Sequence, residues 1–574
     1  MATYYWVGSN TVVWDNANTS SWATTSGGTG GAGVPTSTDD VVFDTNSNLF
    51  DKTITIGSAV SGTSGTCRDI TVSSSNVIFS LTWSSSLQVY GNVNITGINN
   101  NFGSGTIPLK SQSPGKKFNQ GGRTNIIGNI TFDGVGGEWT LQDTVYNAST
   151  ITLTSGNVYL NNCNTISRLF YLTGPNAKLI DTGSNSQIIV SGSSSVAPFQ
   201  VPVTSSNISV TGTYPLVNIA INNGGFQLTS AMAANLYESN CFSLIITNTG
   251  LTTGYSLGSW RDFTVPSGIS VSTGVFGTAG IFYGNVNVSS TLSSTGTMYL
   301  RGSSFITKTV KRNDGVIGTS TSWYIDSANS TYKDLGTGTY DFSPHAFYLN
   351  TGTLDLCGKT YSPYAGGGNI FFGAGTNKTI IANGGSIISS DWTTTGVGTF
   401  TGLTILPGIN SGSKLTLYSS TAKSFNTGGI GDYSPFTLEQ AGKGALTIVG
   451  TNNFNDIRVN SVVNLAGSEI SNGTNSIIYF TGGSTTTLNS FTLLGSSNIG
   501  GNTITITSNN TTNFILSKSS GTVMVSNATI SRSTATGGAQ WYAPPTLGNT
   551  NNGNNIGWLF ANAYNGYQLL PFFF

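Results

Sequence analysis

The side chains best suited to chemistry in this chain are its carboxylates, and they are few: 22 Asp and Glu among 574 residues. Hydrolysis of a glycosidic bond needs two carboxyl groups about 5 to 10 Å apart, one to protonate the leaving oxygen and one to act as nucleophile or base. The local pairs are Asp39 with Asp40, Glu138 with Asp143, and Asp326 with Asp341. All stand in strand-and-turn contexts, where an Asp side chain usually bonds its own backbone. Pairs built from carboxylates on different strands do not show in a linear sequence, so no catalytic residue is assigned.

Other chemistry is less well supplied. The sole histidine, His345 in SPHAFYL, has no GxSxG nearby and reads as a surface or strand-edge residue. Cys67, Cys163, Cys241 and Cys357 are scattered singly, without CxxC or zinc-site spacing, and are expected to be small buried hydrophobes rather than disulfide partners. GGTGGAG and GAGTNKT lack the recurring Asp of calcium-binding nonapeptides, and no GxxxxGK followed by Ser or Thr is present. No metal and no cofactor are expected.

Arg68-Asp69 and Arg261-Asp262 are the one acidic-basic motif that recurs, within CRDITV (Cys67 to Val72) and WRDFTV (Trp260 to Val265), 193 residues apart. YGNVN recurs identically at Tyr90 and Tyr283, again 193 apart; SGTIPLK at Ser104 answers TGTMYLR at Thr295 at an interval of 191. TSGNVYL at Thr154 answers NTGTLDL at Asn350 at 196, and NDIRV, with Asp456 lying 194 beyond Asp262, reads as the opening of a third, decayed copy. Neighbours in a strand face opposite ways. Each Arg and Asp is therefore expected to pair with an adjacent layer and not with the other.

The elements that carry these motifs are short and alternating: TITIG, RDITV, NVIFSLTW, LQVYGNVNITG, NIIGNITFDG. Period-two alternation places Ile, Val, Leu and Phe on one face and Thr, Asn and Ser on the other, with Gly, Asn or Ser closing each run. With 8% charged residues, Gly 75 and aromatics at 11%, the composition is all-β, neither disordered nor helical. The expected fold is an elongated β-solenoid, parallel β-helix-like, with an internal duplication of about 193 residues. Tandem β-sandwiches are the alternative. A layer takes roughly 20 to 30 residues, so the repeat is a block of several layers.

The ends differ from the middle. Trp6, Trp14 and Trp22 punctuate the opening, and are expected to sit in short strands that cover the open end of a solenoid; a sugar-stacking platform is the alternative. Trp541, Tyr542 and Trp558 flank a Gly/Asn loop near the other end, and Phe572, Phe573 and Phe574 close a strongly apolar tail. These nine aromatics are the candidate docking or glycan-contact residues. An exposed apolar tail is an aggregation liability, so it is expected either to plug its own fold or to dock into a neighbouring subunit or partner. The expected organisation is an N-terminal cap or attachment module at 1–66, β-repeat blocks at 67–259, 260–453 and 454–545, and a loop and tail at 546–574.

A formal net charge of +0 with no basic run excludes the electrostatic footprint of a nucleic-acid binder. Met1 is followed by ATYYWVGSN, without a basic segment and apolar stretch of the secretory kind, and no run of about 20 apolar residues predicts membrane insertion. Synthesis and assembly in a cytoplasm are expected.

YYWVGSNTVVWDNANTSSWATTSGGTGGAGVPTSTDDVVFD, ATGGAQWYAPP and NNGNNIGWLF resemble the ends of structural proteins of tailed bacteriophages, of the tail fibre or appendage type; NITFDGVGGEWTL and TSGNVYLNN resemble that family's repeats. The resemblance implies a component of the virion surface, trimeric as many such fibres are. The expected protein is non-enzymatic, associated with other virion proteins, and works in adsorption to the host or in reinforcement of the particle; its charge-poor Ser, Thr and Asn face suits a host surface glycan as a further partner. Alternatives are a capsid decoration or head fibre protein, a depolymerase tailspike, and a secreted bacterial adhesin. The chain departs from well-understood fibres in lacking a heptad-patterned stem.

Overall fold

In the computed structural model the described residues are 1–8, 13–14, 17–47, 52–56, 65–74, 77–81, 86–96, 105–122, 127–191, 199–200, 208–211, 216–219, 242–247, 251–253, 259–267, 269, 271–273, 280–289, 292–293, 297–302, 307–312, 322–335, 346–361, 369–419, 421–429, 431–441, 444–460, 462–465, 468–471, 476–494 and 503–561. They belong to two compact units, Met1–Gly296 and Thr297–Phe574. The chain is all-β with parallel sheets: among the described residues the only helical element is a single turn at Pro545–Leu547. No described helix is long and apolar enough to cross a membrane.

In the first unit each short strand pairs in parallel with the one that follows about a layer later. Val41 pairs with Ile70, Ile70 with Val93, and Val93 with Phe118, at intervals of 29, 23 and 25 residues. All four are at most 1% exposed. The alternation read from the sequence therefore stacks like on like. One column of aliphatic side chains fills the interior and one of Thr and Asn faces outward, as in Asn94 beside Asn119, whose amide donates to the Asn94 carbonyl at 3.2 Å. Burying each large apolar side chain contributes about 1.5 to 3 kcal/mol.

Long strands bend to serve two such columns. Ile127–Leu141 and Val145–Tyr159 pair on both sides of a register shift between Phe132 and Glu138. In the second unit Ser322–Asp334 and Ala346–Asp355 do the same around Asp326. Glycine is required at these bends. Gly352 has φ +102°, and a Cβ there would lie 2.1 Å from the Ser327 carbonyl oxygen.

From Phe514 onward the second unit forms three parallel sheets that the chain visits in turn. Phe514–Ser517 lies in the first, Thr522–Met524 in the third and Ala528–Ile530 in the second; Ser533–Thr536, Gln540–Tyr542 and Thr550–Asn551 then repeat the order. Register partners one circuit apart are Phe514 with Ser533, Thr522 with Gln540, and Thr529 with Thr550, or 19, 18 and 21 residues. Among the described pairings two are antiparallel: Thr3–Trp6 with Trp22–Ala23, and Val462–Leu465 with Ser468–Ser471. The first sets Trp22–Ala23 against the opening strand, whose other edge pairs in parallel with Asp40–Phe43.

Candidate functional site

The recurring Arg-Asp motif sits at corners, between strands, and both copies build the same local structure. Asp69 accepts from the Asn92 backbone N–H at 2.8 Å and from its side-chain amide at 3.1 Å; Asp262 accepts from the Asn285 backbone N–H at 2.6 Å and from the Ser243 hydroxyl at 3.1 Å. Asn92 and Asn285 are the same residue of the two YGNVN segments. The preceding glycine lets the turn come this close: a Cβ on Gly91 would stand 1.9 Å from Asp69 Oδ1, and one on Gly284 2.3 Å from Asp262 Oδ1. The backbone bonds match too, Tyr90 N–H to Cys67 O at 3.0 Å and Tyr283 N–H to Trp260 O at 2.9 Å.

Pairing with an adjacent layer is realised by Arg68, whose Nε and Nη2 grip Asp40 at 2.7 and 2.5 Å and whose guanidinium is thereby held above its usual range. The expectation that Arg and its neighbouring Asp stay apart requires correction. Arg68 Nε and Asp69 Oδ1, and Arg261 Nε and Asp262 Oδ2, each lie 3.9 Å apart. These residues occupy corners, where strand alternation does not apply. The NDIRV segment does not build such a corner: Asp456 lies inside the strand Asn452–Asn460, accepting from Thr492 Oγ1 at 3.1 Å.

The described members of the local carboxylate pairs are spent on structure. Asp39 takes the Thr36 hydroxyl at 2.6 Å and the Ala2 N–H at 2.9 Å; burial works to raise its carboxyl, and these hydrogen bonds overcome it and hold it below the usual value. Glu138 accepts from Asn157 at 3.1 Å, whereas Asp143 holds the N–H groups of Gln120 and Gly122. Asp326 is gripped by Arg301 at 2.9 Å, and Asp341 lies outside the described residues, as does His345. Sequence reading missed one constellation between strands. Glu439 and Asp456 are buried on neighbouring strands, offset by two residues, because Glu439 is in register with Arg458. Glu439 accepts from Thr416 at 2.9 Å and has Lys414 at 3.9 Å, and Asp456 has Arg458 at 3.8 Å.

The three N-terminal tryptophans belong to the core. Trp6, Trp14 and Trp22 are each 0% exposed and pack on one another and on Phe43, with Trp22 edge-on to Trp6 at 5.0 Å and to Trp14 at 5.1 Å. With no exposed surface, these three rings are out of reach of a sugar. Trp541 and Trp558 pair in register with centroids 5.2 Å apart and are 1% and 8% exposed; Tyr542 is half-buried. Phe572, Phe573 and Phe574, with Leu569 and Leu570, lie outside the described residues. Of the cysteines, Cys67 is buried and its thiol pushed well up by burial, as expected. Cys163 and Cys357 are half-buried, none of the three is in a disulfide, and Cys241 lies outside the described residues.

Among the described residues of the first unit, a shallow groove of about 410 Å³ lies beside the first Arg-Asp corner, lined by Asn92, Asn94, Lys117, Asn119 and Gln142 among others. Asn92 is committed, donating to Asp69 and accepting from the Lys117 N–H at 2.9 Å. Asn94, Gln142 and the exposed Lys117 line the groove with amide and ammonium groups of the kind that bind hydroxyl-rich molecules. No group of three or more His, Cys, Asp or Glu that could hold a metal occurs among the described residues.

Comparison of the chain with protein-family models, with curated proteins and with solved structures finds no match.

Proposed function

We propose that this chain is a structural protein of a bacteriophage particle: a parallel β-solenoid, lengthened by duplication of a block of about 193 residues, that projects from the virion surface and takes part in host adsorption. The observation that carries the solenoid is the circuit of the second unit, in which strands 18 to 21 residues apart stack in parallel in three sheets. Sandwiches are built from antiparallel sheets, and the described ladders are parallel with two exceptions. Duplication is supported by the matching corners at Asp69 and Asp262, which share hydrogen-bond partners as well as letters. The virion assignment rests on the resemblance of the two ends and of the repeats to fibre and appendage proteins.

Adsorption fits the chemistry on offer. A charge-poor surface of Ser, Thr and Asn makes weak hydrogen bonds to glycans, and repetition within a chain and across a trimer turns weak contacts into a firm hold. The carboxylates described above are engaged by hydroxyls, N–H groups and cations, so no hydrolytic step is proposed.

The test is location. Antibody raised against the purified chain should label the surface of phage particles recovered from a culture that carries this gene, and light scattering of the purified chain should give three times its mass. Label on intact bacterial cells instead, with none on particles, would replace the virion reading with the adhesin.

A further inference from the structure

In the second unit four aromatic side chains stand in one column on the outward side of a parallel ladder. The register runs Tyr299, Tyr324, Tyr348, Phe371, one per layer at intervals of 25, 24 and 23 residues. Their neighbours in sequence, Met298, Trp323, Phe347 and Ile370, point inward and are buried, so the column faces out, and each of its rings is half-buried. Ring centroids are separated by 5.1, 4.3 and 5.1 Å, and Tyr324 and Tyr348 are within 6° of parallel. Burial, followed by the neighbouring Tyr348 and Tyr299, pushes the Tyr324 phenol up.

A polar rim runs beside the column. The Arg301 guanidinium carbon lies 4.7 Å from the centre of the Tyr299 ring, and its Nη2 and Nε hold Asp326 at 2.9 and 3.0 Å. The ring and the carboxylate together fix the guanidinium, and Arg301 remains 40% exposed.

We infer that this column is a binding surface for an uncharged, extended polysaccharide segment, lying along the stack with about one sugar residue per layer. Three features select that occupant. Because the rings stack on one another, what they offer outward is a stripe of C–H edges with a phenol hydroxyl in three of the four layers, and a sugar presents C–H groups and hydroxyls in the same alternation. The Arg301–Asp326 pair is self-neutralising, which leaves no net charge to recruit an anionic chain. The column is an open stripe, whereas protein hot spots centre on well-packed, desolvated pockets.

This inference rests on the adsorption reading for its biological sense, but its test does not. The full chain is titrated with neutral hexasaccharides of glucose, galactose, mannose and N-acetylglucosamine while tyrosine fluorescence is followed. Binding to at least one is expected, and Tyr348→Leu, which keeps an apolar side chain in the column, should weaken it about tenfold. Arg301→Ala, outside the packed core, should weaken it as well with unchanged unfolding behaviour. Absence of binding to all four sugars, or equal binding by Tyr348→Leu and Arg301→Ala, overturns the inference while leaving the virion assignment standing. Conversely, sugar binding by a chain absent from particles would sink the virion assignment alone. Attachment to host cells that survives periodate oxidation of surface glycans and is lost on protease treatment also overturns it, in favour of a protein occupant.

Discussion

Two kinds of corner turn the backbone in this protein, and they solve opposite halves of one problem. At Asp69 and Asp262 a carboxylate accepts from the N–H of the next layer, and both side chains keep more than a quarter of their surface in water, 28% and 26%. At Lys178, Lys378 and Lys423 an ammonium donates to turn carbonyl oxygens: Gly174 and Asn176, Gly373 and Gly375, and Ser419 together with Gly444 of the next layer. These three lysines are at most 3% exposed. An acidic corner keeps its charge hydrated. A lysine corner buries a cation on neutral dipoles, and burial lowers the ammonium in all three, to about 8 in Lys423. The first kind satisfies donors at little electrostatic cost; the second satisfies acceptors at a cost that depends on pH.

The largest expected effect separates a strand-bend glycine beside the Lys378 corner from a glycine of an acidic corner. Gly352, in register with Lys378, has φ +102° and would place a Cβ 2.1 Å from a backbone carbonyl, so Gly352→Ala should destabilise by about 3 kcal/mol. Gly284→Ala meets mainly the Asp262 carboxylate, a side chain able to move, and should cost less. Denaturant unfolding of both variants decides it, and a greater loss at Gly284 would break the comparison.

Removal of the acidic cap comes next. Asp262→Ala leaves the Asn285 N–H without its acceptor and should cost about 1 to 2 kcal/mol. Asp262→Asn keeps an oxygen in place and should recover much of that, with little change on adding salt. If Asn is as damaging as Ala, the charge and not the hydrogen bond is what matters at this corner.

The most gradual effect is a slope. Below pH 8 folded and unfolded Lys423 are both protonated; between about 8 and 10.5 the unfolded lysine still binds a proton that the folded one has shed, so this residue makes stability rise with pH, by at most about 1.4 kcal/mol per unit. The neutral amine still has two N–H groups for its two carbonyls. Melting temperatures of the native chain from pH 7.5 to 9.5 should therefore climb relative to those of Lys423→Met. Parallel curves would show that the corner does not titrate in this range.

Much of the fold was readable because stacking repeats a local pattern. Alternation in RDITV and NVNITG predicts which residues face in, and Val41, Ile70, Val93 and Phe118 obey it because a parallel ladder in register keeps every layer's inward set on the same side. Asp456 shows where reading fails: its interval of 194 matches the repeat, yet it lies within a strand and not at a corner, since a short Asn-Asp string is compatible with either.

The aromatic column was present in the letters as TMYL, WYI, FYL and IFF, but nothing local says that these four strings are neighbours. Intervals of 25, 24 and 23 absorb loops of different length, and a slip of one residue in any layer would turn that ring inward. By itself the sequence determined the strand period and the residues that had to be buried, because those follow from side-chain alternation and from the demands of tight turns. Only the tertiary structure decided which strands stack, and hence that Arg301 reaches Asp326, that Asp69 and Asp262 cap equivalent turns, and that four separated aromatics form one surface. Those are contacts between layers, and their energy depends on register, which no single strand carries.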